Sequence, residues 1–155
     1  GTNGKPAWLD SNPSTTNTPA MNRVAFIIAF VSAIPFGFGQ CSVVAEGCAK
    51  AIGDAYLVDP NYFLSEIGPQ DVATFRAIWL KGNTYRIAVC TADGLAAEWM
   101  VYDEEGTLLF NNSEFESASQ WDFLCEHTMH VQLVARPNKK TLQHGCIAIV
   151  HGFKK

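Results

Sequence analysis

Charge is what this sequence has least of. Only 17% of its 155 residues are charged, against 48% hydrophobic, and the few lysines are scattered or terminal, as at Lys139, Lys140, Lys154 and Lys155. Tracking a phosphate backbone takes a stripe of lysine or arginine. With a net charge of -4 and no such stripe, the chain excludes nucleic acid as its partner. Also missing are a phosphate loop, a G-x-S-x-G nucleophile elbow, a CxxC pair and the spacing of an EF-hand loop. No internal repeat announces a propeller or solenoid. These absences leave no catalytic residue and no cofactor site to name.

Cysteine, by contrast, is plentiful. Five cysteines without a CxxC pair suit an exported chain that uses them in disulfides. The N-terminal region points the same way. Residues 1–20 are rich in Asn, Thr, Ser and Pro and read as a disordered linker or as sequence upstream of the true start, since the first methionine is Met21. From Met21, Asn22 and Arg23 form a short n-region and Val24 to Phe36 an apolar h-region, with Gly37 and Gly39 at -3 and -1. Residues 21–39 are therefore expected to be a signal peptide, cleaved before Gln40. The apolar run is shorter than the roughly 20 residues of a membrane span and contains Pro35. No span is expected in the mature form. A lipid anchor on Cys41 is the lesser alternative: Gln40 does not fit a lipobox, but acylation would leave an even four cysteines.

After the signal, Ser42 to Gly53 has the composition of a helix, with Ser42 as its cap, Gly53 as its stop, and Val44, Cys48, Ala51 and Ile52 on one face. Cys41 and Cys48 are about 10 Å apart along such a helix, too far to bond each other. Asp54 to Pro69 reads as a crossing strand or packed loop, completing a segment 40–68. The segment 69–155 is strand after strand. Phe75, Ala77 and Trp79 share one face of a strand; Tyr85, Ile87 and Val89 alternate with Arg86, Ala88 and Cys90, Trp121, Phe123 and Cys125 with Asp122 and Leu124, and Met129, Val131 and Leu133 with His130 and Gln132. Asp103-Glu104-Glu105-Gly106 is a turn whose glycine takes a positive φ. The expected fold is mostly β: a jelly-roll-like antiparallel β-sandwich of seven or eight strands with a short N-terminal helix.

Three constellations invite chemistry. Asp103 and Glu105 offer oxygen ligands to calcium, although acidic turn residues ordinarily serve solubility and turn geometry. Trp79, Trp99, Trp121, Tyr56, Tyr62 and Tyr102 offer rings for sugar stacking, although rings at alternating strand positions ordinarily belong to the core. Cys125 and His127, with His144 and Cys146, form C-x-H and H-x-C arms on two strands. If those strands pair, the arms make either a tetrahedral zinc site or a Cys125–Cys146 disulfide. The oxidising compartment favours the disulfide.

Gly82-Asn83-Thr84-Tyr85-Arg86-Ile87, Val101 to Leu109, and Phe123 with Thr128-Met129-His130-Val131 resemble the bacterial pre-peptidase C-terminal type of sandwich, appended to secreted hydrolases. The chain is also similar to small secreted proteins of Bacteroidota, whose signals end before a glutamine. The resemblance implies a non-catalytic, exported binding or stabilising module. The expectation is thus a periplasmic or cell-surface interaction module with a protein or glycan partner. A metal-binding protein or small metalloenzyme using the four C-terminal Cys and His residues is the alternative.

Overall fold

Strict alternation of Tyr85, Ile87 and Val89 builds the strand on which the other layers rest, β4 (Thr84–Thr91). A computed structural model describes residues 37–140 and 144–155 of the chain. In it, α1 (Gly37–Ile52) precedes β1 (Leu57–Val58), β2 (Phe63–Ile67) and β3 (Ala73–Trp79). After β4 come β5 (Glu98–Asp103), β6 (Leu108–Asn111), β7 (Gln120–Leu124), β8 (Met129–Arg136) and β9 (Gly145–Lys154). All pairings are antiparallel. The first sheet runs β1-β9-β4-β7, with β2 also on β9; the second runs β3-β8-β5-β6. The protein is an antiparallel β-sandwich with one short helix. Among the described residues nine strands replace the expected seven or eight because segment 54–69 contributes β1 and β2, both held by the long last strand.

The inner faces meet in one core that includes Ile87, Val89, Trp99, Val101, Leu133, Ile147 and Ile149. Trp79, Trp99 and Tyr56 are buried, which places them with packing, and Trp121, Tyr62 and Tyr102 are half-buried rather than fully exposed as a sugar platform. Rings run in series through the interior: Trp79 stacks on Tyr85 at 5.2 Å, Phe123 lies 5.0 Å from Trp79, and Phe110 lies 5.2 Å from Phe123. Each such ring buries about 150 to 250 Å².

The outer face of the first sheet is covered as well. Ala88, Ala148 and Val150 pack under Ala45, Cys48 and Ile52 of α1. Small residues let the helix come close: a Cβ on Gly152 would lie 2.7 Å from Ile52 Cγ2. Burial of Ile52 alone is worth roughly 1.5 to 3 kcal/mol. The helix begins at Gly37 rather than at Ser42, so Ser42 lies within it and Gly37–Gln40 form its first turn. Its buried stripe is Cys41, Ala45, Cys48 and Ile52; Ala51 faces solvent. Gly53 ends it as expected, in the left-handed region at φ 83° with its N–H donating to Lys50 O.

Two disulfides fix α1 to adjacent strands, Cys41 to Cys146 at the start of β9 and Cys48 to Cys90 in β4. Arg86 completes the attachment, donating to the Ile52 carbonyl at 3.1 Å and, through Nε and Nη2, to the Asp122 carboxylate at 2.6 and 2.8 Å. Tyr56 donates to the same carboxylate and lies 4.3 Å below the guanidinium. Arginine holds the Asp122 carboxyl below the usual carboxylate range.

The expected segment 1–20 and most of the signal, 21–36, lie outside the described residues. Among the described residues no helix is long and apolar enough to cross a membrane.

Candidate interaction surface

The two C-terminal Cys/His arms do not meet. β7 and β9 lie on opposite sides of β4 rather than beside each other. Cys125 N–H donates to Asn83 O at one end of β4, whereas Cys146 O accepts from Ala92 at the other. Nine strand steps separate those anchor points, roughly 30 Å. Neither a Cys125–Cys146 disulfide nor a zinc site joining Cys125, His127, His144 and Cys146 is compatible with that order. Cys146 bonds Cys41 instead, with 5.4 Å between their Cα atoms. Cys125 is a buried free thiol whose Sγ–H donates to His127 O. Burial pushes its pKa up, away from the reactive thiolate. His144 packs against Gly68 at the far end of the sandwich from His127. The Cys41–Cys146 bond also occupies the sulfur that a lipid anchor would need.

Of the calcium pair, Asp103 is engaged within its own turn, while Glu105 is exposed. Asp103 Oδ1 accepts the Thr107 N–H at 2.7 Å, and Asp103 O accepts from Gly106, whose φ is 83°. The turn is built as the sequence predicts, and its carboxylate closes it. Among the described residues no three His, Cys, Asp or Glu side chains gather to hold a metal ion.

What the fold does assemble is a sided surface. From Ile87 to Ala135 the sequence has no lysine or arginine but nine acidic residues. Two of these are neutralised from outside the stretch, Asp122 by Arg86 and Glu98 by Arg136 at 2.7 Å. Glu104, Glu105, Glu114, Glu116 and Glu126 are exposed and form no ion pair among the described residues. They stand on the turns and the loop that bound β6 and β7, the terminal strands of the two sheets. Contacts of Phe110 with Trp121 and Phe123, each at 5.2 Å, stack these two strands on one side of the sandwich.

Apolar side chains are exposed on this same side: Leu108, Leu109, Phe115 and Leu124, the last 69% exposed. Next to it, two open depressions of about 290 and 320 Å³ share Asp103, Glu104 and His130. One extends to Arg76 and Gln132 on the uncovered outer face of the second sheet; the other extends to Glu105, Leu109 and His127. A signal for this surface was present in the sequence as the 49-residue gap in basic residues. Which acids stay unpaired depends on the fold.

The loop between β6 and β7 is the most constructed part of this surface. Asn112 is wholly buried, its Oδ1 accepting from Trp99 N–H at 2.9 Å and its Nδ2 donating to Ala97 O and Ala118 O. Its backbone carbonyl accepts from both Phe115 and Ser117. Asn111 Oδ1 caps the turn by accepting from Ser113. Glu116 and Ser117 then take φ of 54° and 56°, two successive left-handed residues without a glycine.

No family model matches the chain, and no curated protein matches it. Among solved structures it is similar to PliG of Aeromonas hydrophila, a periplasmic lysozyme inhibitor of g-type lysozyme, covering 66% of this chain and 90% of that one. The TM-score is 0.49 and the identity 7%, a likeness that carries no argument about function.

Proposed function

We propose that this protein is an exported, non-enzymatic protein-binding module that docks a basic protein surface on its β6–β7 side. The observation that carries this reading is the coincidence of five unpaired glutamates and four exposed apolar side chains on one side. Unpaired charge steers a partner of opposite sign and sets its register, while apolar area supplies the burial that holds it. Two disulfides favour the periplasm or cell surface as its compartment. A protein is favoured over a glycan because Trp79, Trp99 and Tyr56, which would offer sugar platforms, have their faces in the core.

The test uses the peptide acetyl-(Lys-Leu)4-amide as a basic, apolar probe, followed by amide shifts of the full chain. Shifts are expected at residues 104–105, 108–109 and 114–117, with affinity falling steeply from 50 to 200 mM salt. Replacing Glu104, Glu105, Glu114 and Glu116 together by glutamine should remove most of that salt dependence. Shifts confined to the outer face of the second sheet, or none at all, would overturn the reading.

A further inference from the structure

Phe115 stands on the loop that joins the two strands of that side, and its surroundings are unusual for an exposed ring. It is 40% exposed, yet it stacks in parallel on Phe110 at 5.2 Å and lies 4.5 Å from Trp121. Its base is therefore held while its outer part projects. Glu114 and Glu116 flank it with no basic partner among the described residues. Left-handed backbone at non-glycine residues is strained and persists where the surroundings over-determine it. Here Asn112 does so, holding the loop through its amide and its carbonyl. Glycine at 116 or 117 would reach the same φ without that strain.

Resting on the docking reading above, we propose that Phe115 is the anchor of the interface. The rigid β6–β7 loop inserts its ring into an apolar recess of the partner, and lysine or arginine on the rim of that recess pairs with Glu114 and Glu116. Pre-organisation is the reason for the strain. A loop already in its bound shape loses less entropy on association, and an aromatic that becomes fully desolvated in a partner's pocket can carry much of the binding energy.

The experiment measures binding of acetyl-(Lys-Leu)4-amide to the full chain, with unfolding curves taken in parallel. Phe115→Ala should weaken binding by roughly tenfold or more, the range of a hot-spot aromatic, with the salt dependence unchanged. Phe115→Trp should retain binding within about threefold. Ser117→Gly relieves one left-handed position and loosens the loop while keeping the Glu116 charge, so stability should hold or rise while affinity falls. A purely structural Phe115 would move both together and thereby overturn the proposal. If the parent binds and Phe115→Ala binds within twofold of it, the anchor fails and the docking reading stands. If the parent ignores the peptide, the docking reading fails and takes the anchor with it. If cellotriose, a neutral oligosaccharide, shifts Phe115 and Trp121 while the peptide does not, the surface is a glycan site and both are wrong.

Discussion

The face beneath α1 and the side formed by β6 and β7 solve opposite problems. Under the helix, small apolar residues are buried, two disulfides hold the layers, and Arg86 meets the helix carbonyl end. Along β6 and β7, leucines and a phenylalanine face water and glutamates go unpaired. The first region is closed by burial and covalent bonds, whereas the second presents leucines and glutamates that have no partner among the described residues. Single exposed apolar residues need no explanation, but a cluster rimmed by one sign of charge marks a contact surface.

Breaking the covalent half of the contrast should have the largest effect. The Cys41–Cys146 bond closes a sequence separation of 105 residues, and Cys41→Ser/Cys146→Ser should cost about 4 to 5 kcal/mol in urea unfolding. A loss under about 1 kcal/mol would mean that packing and the Cys48–Cys90 bond suffice to hold α1. Next come two tryptophans, one in the inter-sheet core and one on the β6–β7 side. Trp99, 1% exposed and donating its indole N–H to Ala118 O, should cost about 3 to 5 kcal/mol as Trp99→Ala. Trp121 is half-buried, and Trp121→Ala should cost about 1 to 2 kcal/mol. Equal losses would erase the distinction between an inner and a peripheral ring.

The smallest effect is electrostatic. His151 lies between the sheets, 5.7 Å from the Phe75 ring, with Nε2 3.2 Å from Asp59. Burial pushes its pKa below the ordinary 6.5, against the opposing pull of the Asp59 carboxylate. Folded protein therefore binds fewer protons at this site than unfolded protein. The stabilisation is fully present above the unfolded value and is lost as the pH falls from about 6.5 through the depressed folded value. His151→Gln should flatten the stability–pH curve in that window. An unchanged slope would assign the acid sensitivity to other groups.

Much of the frame was legible from side-chain alternation. Tyr85, Ile87 and Val89 face the core as their period predicts, as do Trp79, Leu133 and Val131. Less legible was that β4 is buried on both faces, because Ala88 and Cys90 are small enough to suit either solvent or a helix. Strand order was not legible at all. Alternation says which way Cys125 and Cys146 point but not that β4 stands between their strands, and the expected pairing failed on that point alone. The surface was half-legible: the acidic stretch is plain in the sequence, but Asp122 and Glu98 drop out of it only once Arg86 and Arg136 are seen beside them. Nothing in Asn112-Ser113-Glu114-Phe115-Glu116-Ser117 announces a left-handed pair, since the usual glycine is absent.

The disulfides also impose an order in time. Cys48 can find Cys90 once little more than half the chain is present, but Cys41 must wait for a strand that begins at Gly145. Throughout that wait the helix carries an open thiol, and Cys125 becomes available before Cys146 does. Maturation of this protein is thus a race between a wrong partner that arrives first and a right one that arrives last. In the folded chain Cys125 is buried behind the β7 end, with its N–H donated to Asn83 O, and burial there is what withdraws the competitor.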